Sequence, residues 1–443
     1  MIRRITAHDF KAFHTLDVEV RPLTILVGEN NSGKSSLLAS VRLLSQTVQS
    51  EDRSIPLLLS GPLGDFGSFR DVVHGNHRGR PMMLGLTIDS VFPRTDKRPS
   101  LVSFKSEFKY RTQRRETILR STDVSLQAVP LISVAASREQ DSLLISKLGH
   151  RNVPDSARAT LRSALRMRNF LPNVFSDLRR RESRSEDVNA SQRQLATVEP
   201  RIQRSVNSIA ATLSSVEHIG SMRLAPERTY VHTGIEGRYV GADGANWPSM
   251  LALDASRRSP KLTLVQDWLK AAGVASKISV NWLTDRHYEI VITNPTSGET
   301  VNIADVGQGT SQVLPVLIAG ARLSAGDTYI VEEPEIHLHP RAQAALGDYF
   351  ADLIDSGVQA FVETHSEYLI MRLQQHVASG RLTPDQVVFY YVSSKKGGGK
   401  EVTPMRLDRE AIFDQQLPGG FFPQRMSEAS GLAKARAAAK DAG

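Results

Sequence analysis

The sequence from Leu23 to Leu44 reads LTILVGENNSGKSSLLASVRLL. An apolar run ends at Gly28. Four residues separate it from Gly33, and Lys34, Ser35 and Ser36 then open a helical pattern carrying Leu37, Leu38, Val41 and Leu44. A loop that wraps a phosphate must point successive backbone N–H groups inward, and side chains at the two glycine positions would obstruct that approach. The first turn of the following helix offers unsatisfied N–H groups and a positive dipole end to the same anion. Lys34 adds a mobile charge for the β- and γ-phosphates, and the Ser35 hydroxyl suits Mg²⁺. The expected triphosphate cradle is therefore Gly28, Asn30, Asn31, Ser32, Gly33, Lys34, Ser35 and Ser36.

A cradle alone does not separate a kinase from a GTPase or an ATPase. The run DTYIVEEPEIHLHP places Glu332 and Glu333 at the end of an apolar stretch, where two adjacent acids repel unless each has a task. Beside a Mg²⁺-triphosphate, Glu332 is assigned to the metal side and Glu333 to polarising the attacking water. About thirty residues later FVETHSEYL ends a second apolar run at His365, placed to meet a γ-phosphate. Between the cradle and the acids, IADVGQGTSQVLPVLIAG sets Gly307 and Gly309 before a helix that starts near Thr310. This is a second helix N-terminus suited to an anion. One subunit does not easily use both on one triphosphate, so the second is expected to cap a nucleotide held by another copy. His337 and His339 alternate in a loop without a third obvious ligand, which makes a zinc site there a weak reading.

IRRITAHDF and LDVEVR alternate like strands, and LTILVG reads as a buried one. MMLGLTI and LVSFKSEFKY continue the strand pattern. From about Asp155 to Ser215 the pattern turns helical and polar, with Arg158, Arg162 and Arg166 four apart along an expected helix face. Strand signals return in YEIVIT, DTYIVEE, QAFVETHS and DQVVFYYV, with helical stretches such as RAQAALGDYFADLI between successive ones. That alternation implies a largely parallel sheet covered by helices. The chain has 443 residues and a formal charge of +8. Between Arg151 and Arg204 twelve arginines face six acids, so most of the excess sits there. Clustered arginine points to nucleic-acid phosphates, an acidic protein surface or a solvated face. With no cysteine, disulfides, thiol catalysis and cysteine-based metal sites are excluded. No apolar run is long enough for a membrane span and no secretory leader is apparent, so a cytoplasmic protein is expected.

The order of phosphate loop, glycine signature, double-acid strand and histidine resembles ABC-type ATPases of the SMC/RecF branch. EEPEIHLHP and THS are similar to the OLD-like standalone members. SMRLAPERTYV (221–231) and LPGGFFP (417–423) resemble a subgroup with a C-terminal domain of unknown function. The resemblance implies an α/β P-loop NTPase of ABC-ATPase type, with a mixed sheet, flanking helices and an arginine-rich helical insertion. It also implies ATP and Mg²⁺ as cofactors. Residues 1–110 would form an N-terminal ATPase lobe, 111–216 a basic, largely helical insertion, 217–410 the C-terminal lobe, and 411–443 a tail. It makes Gly28 to Ser36 the Walker A loop, Glu332 and Glu333 the Walker B pair, His337 to Pro340 the D-loop, and His365 the switch histidine. Two departures stand out: Glu332 replaces the usual aspartate, and VGQGTSQ replaces LSGGQ. Gln46 and Gln49 lie near a possible Q-loop but, as helix glutamines, are expected to be solvated. No Toprim-like acid cluster follows His365, so the chain is expected to work as an ATP-gated homodimer or higher homo-oligomer with a separate effector such as a nuclease. The settings implied are anti-phage defence or DNA repair, with DNA or RNA as possible partners. The rival readings are a nucleotide-binding scaffold with little turnover and a transporter-type ATPase subunit.

Overall fold

A computed structural model describes residues 1–90, 100–136, 142–175, 186–234, 237–395, 399–415 and 431. Arg179, Arg180, Arg181, Arg184 and the LPGGFFP stretch lie outside the described residues. The centre is a six-stranded sheet. Its order runs Val216–Ile219, Thr328–Glu332, Gln359–Glu363, Leu23–Gly28, Val387–Ser394 and Lys400–Met405. The first five strands are parallel and the last is antiparallel. Leu23, Ile25, Leu26 and Val27 are all buried because both faces of the sheet are covered, which explains the unbroken apolar run.

One face packs Leu26, Ile330, Phe361 and Val388 against the helix Lys34–Gln49, the helix Glu186–Ser214 and a second sheet. The other face packs Ile25, Tyr329, Val331 and Val362 against the helices Gln308–Ala321, Pro340–Asp355 and Glu367–Ala378. The result is an α/β P-loop fold with two cores, one on each side of a mainly parallel sheet.

The second sheet has eight antiparallel strands. From one edge they are Arg151–Asn152, Leu143–Leu148, Val129–Ala136, Glu116–Leu126, Ser100–Arg111, Met82–Ser90, Ile2–Phe10 and Phe13–Glu19. It overturns the helical reading of 111–152. Ser100–Arg111 and Glu116–Leu126 form one hairpin across the expected domain boundary at 110, with Val102, Phe104, Phe108, Leu119 and Val124 alternating into the core. Among the described residues of the insertion, only Asp155–Arg162 and Glu186–Ser214 are helical.

The arginine stripe also breaks. The helix stops at Arg162, and Arg166 lies on the strand Leu165–Arg168, paired with Leu171–Val174. Asn169 makes the turn at φ 57° and donates from its amide to the carbonyls of Asp52 and Ile55, while Phe170 and Leu171 become fully buried. Burying those apolar groups and satisfying that amide outweighs the local helical pattern. Arg158 pairs with Asp155 and donates to the Val153 carbonyl, and Arg166 donates to the carbonyls of Ser163 and Leu165. The three therefore form no common helical face for phosphates.

Gln46 and Gln49 are likewise not solvated. Gln46 is buried and donates to the Leu58 carbonyl, and Gln49 reaches the carbonyls of Leu213 and Val216. Among the described residues no helix is long and apolar enough to cross a membrane.

Candidate nucleotide site

Parallel pairing brings the carboxyl ends of the central strands to one edge, the position where open α/β sheets place ligands. Gly28 lies beside Val392, and Glu332 beside Glu363. Gly28 has φ +143°, and a Cβ there would sit 2.2 Å from the Val392 carbonyl oxygen, so only glycine fits. Gly33, at φ +106°, is the N-cap of the following helix, and Asn31 adopts the left-handed region at φ 61°. Asn30 and Asn31 are exposed, and the Ser36 N–H closes onto the Gly33 carbonyl.

Lys34 is buried and its ammonium donates to the carbonyls of Gly28 (3.0 Å) and Glu29 (2.9 Å). Burial holds its pKa below the ordinary lysine value, against the attraction of Glu363 and Glu333. The Ser32 hydroxyl is buried with no hydrogen-bond partner. An uncovered donor beside a lysine folded onto its own loop is what a phosphate-holding loop presents, so the residues fit the nucleotide that the motif implies.

The acids divide differently from the expectation. Glu332 does not meet Ser35. Its carboxylate pairs with Arg42 and lies 3.2 Å from His218 Nε2, tying the first helix and the strand Val216–Ile219 to the end of its own strand. Burial raises the pKa of Glu332, but the His218 hydrogen bond and the Arg42 charge outweigh it and the net shift is downward. Burial drives His218 down to about 4, so this imidazole is neutral.

The carboxylate that meets the phosphate loop is Glu363, which the sequence reading passed over. The Ser35 hydroxyl donates to its Oε2 at 2.8 Å, and Lys34 Nζ is 3.8 Å from its Oε1. Burial pushes Glu363 up to about 7, with further upward pushes from Glu332 and Glu333. A buried acid this reluctant to ionise, held on the Ser35 hydroxyl, is a site suited to a hard cation. The Ser35 hydroxyl, expected beside Glu332, is held by Glu363 instead, while Glu332 is engaged by Arg42 and His218. The signal in the sequence was the acid that ends the strand QAFVE directly after its apolar AFV core.

Glu333 and His365 do come together. His365 Nε2 lies 3.7 Å from Glu333 Oε1, both partly exposed. Glu333 has φ 45°, and its N–H donates to the Glu363 carbonyl at 2.7 Å. A glutamate in the left-handed region stores backbone strain, which tends to gather at functional positions. The His365 N–H is held by Glu335 Oε1 at 2.6 Å, while the second Glu335 oxygen is buried without a partner. Burial and the Lys34 charge hold His365 below its usual pKa, leaving a neutral imidazole beside the carboxylate. Arg223, in the SMRLAPERTYV stretch, donates to the carbonyls of Glu332, Glu333 and Gln312 and so joins the acids to the signature helix.

Gly307, Gly309 and Thr310 open the helix Gln308–Ala321 and line a separate cleft of about 440 Å³ with His337, His339 and Arg341. No phosphate-loop residue lines that cleft. A Cβ at Gly309 would meet the His337 carbonyl oxygen at 2.4 Å, whereas Gly307 has open space around it. His339 caps the helix Pro340–Asp355 through the Arg341 N–H. Among the described residues, neither it nor His337 joins a metal-binding cluster.

A family model described as "AAA domain, putative AbiEii toxin, Type IV TA system" matches residues 23–372. No curated protein matches the chain. Solved structures similar to it include an SmcHead bound to the C-winged helix domain of ScpA, with TM-score 0.47, 12% identity, and 92% of this chain and 98% of the other covered. An SMC head domain from Thermotoga maritima gives TM-score 0.40 at 10% identity, with 91% and 98% covered. An Smc head with an extended coiled coil, bound to the C-terminal domain of ScpA derived from Pyrococcus furiosus, gives 0.42 at 11%, with 91% and 96% covered.

Proposed function

The chain belongs to the family of AAA domains described as putative AbiEii toxins of type IV TA systems, and on that premise we propose that it is an ATP-gated, ABC-type switch. The observation that carries the reading is the convergence of Lys34, Ser35, Glu363, Glu333 and His365 on one edge of the parallel sheet. Mg²⁺-ATP would supply the electrophilic γ-phosphoryl group when bound. Lys34 would leave the Gly28 and Glu29 carbonyls to neutralise phosphate charge, and Ser35 with Glu363 would hold the metal. Glu333, exposed enough to reach water and beside a neutral imidazole, takes the role of general base. His365 orients that base and the terminal phosphate.

The separate cleft at Gly307 and Thr310 supports a two-chain arrangement, in which the signature helix of one copy caps the nucleotide of another. ATP then drives association and hydrolysis releases it. Such a switch reports to a separate effector, in a defence setting in keeping with the toxin–antitoxin description or in DNA repair. The deciding experiment is Glu333→Gln. Turnover should fall by about 10²-fold or more, a typical range for a general base, while ATP affinity persists and dimers accumulate in ATP. Unchanged turnover would remove Glu333 from the mechanism, and a monomer in ATP at every protein concentration would remove the two-chain gate.

A further inference from the structure

The first two strands, Ile2–Phe10 and Phe13–Glu19, form a hairpin whose tip lies against the phosphate loop. Ala12 Cβ would be 3.1 Å from a Cβ built on Gly33. On this hairpin three metal-capable side chains converge. His14 Nδ1 lies 2.6 Å from Asp9 Oδ1, and His8 Nδ1 lies 3.3 Å from Asp9 Oδ2. The two imidazole rings are 4.7 Å apart, and all three ligand atoms fall within 4.8 Å of one another.

Regular strand geometry would send His8 and Asp9 to opposite faces. Asp9 instead has φ 51°, and this left-handed residue turns its buried carboxylate so that each oxygen faces one imidazole. Lys11, also left-handed at φ 45°, completes the tight tip.

Each Asp9 carboxylate oxygen thus faces its own imidazole nitrogen, so that three donor groups of metal-ligand type point into one small space. We propose that His8, Asp9 and His14 form a binding site for a borderline divalent transition ion, zinc being the best match to two imidazoles and one carboxylate. Donor atoms around a tetrahedral zinc stand roughly 3.3 Å apart, given bonds of about 2.0–2.1 Å. The His8–Asp9 spacing already suits this, and the His14–Asp9 contact opens by under an ångström as its shared proton leaves to solvent. Both imidazoles are about half exposed or more, which leaves an entry path.

His74 stands next in line, its ring 6.0 Å from that of His14. Its Nδ1 lies 2.9 Å from the Lys11 carbonyl oxygen, which anchors that ring beside the hairpin tip but outside the three-residue cluster. A metal there would fasten the tip that touches Gly33 and couple metal supply to the phosphate loop.

The test is equilibrium dialysis of the full chain against Zn²⁺ in excess Mg²⁺, with bound metal counted by atomic emission. The wild type should hold one more zinc per chain than the variant carrying His8→Ala and His14→Ala, and Co²⁺ should give the absorption bands of a tetrahedral site only in the wild type. His14→Gln, which can still hydrogen-bond Asp9, guards against a folding defect and should weaken zinc binding about tenfold or more. Equal zinc content and affinity in wild type and His14→Gln, or no zinc in the wild type, would overturn the site.

Discussion

Replacing Glu363 with glutamine should stabilise the nucleotide-free protein at alkaline pH while abolishing its enzymatic turnover. The carboxyl titrates near 7 in the folded chain against an ordinary value of 4.5. A folded pKa above the unfolded one means that the native state holds the proton more tightly. The associated stability is complete below pH 4.5 and is lost as pH rises through 7. At about 1.36 kcal/mol per pH unit, the loss amounts to about 3 kcal/mol by pH 8. Glutamine keeps an acceptor for the Ser35 hydroxyl and never ionises, so it escapes that penalty. Urea unfolding of both proteins at pH 5, 6, 7 and 8, without nucleotide or Mg²⁺, reads the difference directly. The variant should gain on the wild type from pH 5 to 8 and reach an advantage of about 3 kcal/mol. Mg²⁺ should narrow the gap by favouring the ionised wild-type carboxylate. A difference that stays flat across this range would refute the reading of Glu363 as a buried acid that resists ionisation in the folded chain.

Four other outcomes follow from the same geometry. Lys34→Ala should remove measurable ATP binding in equilibrium titration, because the loop keeps its amides but loses its only buried ammonium among the described residues. Gly307→Asp should leave the monomer as stable as wild type and ATP still bound, yet suppress ATP-dependent dimers in light scattering. Gly309→Ala should instead lower the melting temperature through its clash with the His337 carbonyl. His218, buried and neutral with its pKa down to about 4 against 6.5, should make the wild type lose about 3 kcal/mol as pH falls from 6.5 to 4. A His218→Asn variant should show a shallower acid limb in the same unfolding assay.

What could be read in advance was whatever local spacing determines. The stretch from Leu23 to Leu44 carries its own strand, glycine turns and helix, so motif and structure agree residue by residue. Glu333 and His365 could each be set at the nucleotide edge because one follows the strand Thr328–Glu332 and the other lies two residues past Gln359–Glu363. Glu363 could not be placed, because its meaning depends on Gln359–Glu363 lying beside Leu23–Gly28, a register fixed only by tertiary pairing. Glu332 seemed free for a metal because Arg42 and His218 reach it from two other elements. The arginines at 158, 162 and 166 misled because Asn169 and Phe170 find better partners in a hairpin than in a continued helix.

The pairing that makes Glu363 hard to foresee also governs how the protein is made. Ser35 and Glu363 are 328 positions apart along the chain, and the strands on both sides of Leu23–Gly28 come from its last third. During synthesis the phosphate loop leaves the ribosome with neither neighbour available, while the antiparallel hairpins of the second sheet can already close on themselves. Non-local strand pairing of this kind is slow, since a long loop must close before any contact rewards it. Until residues 359–394 emerge, the apolar strand Leu23–Gly28 has two unpaired edges and is a natural client for chaperones. Nucleotide-binding competence should therefore be gained late and at once, and a nascent chain released before residue 359 should not retain ATP.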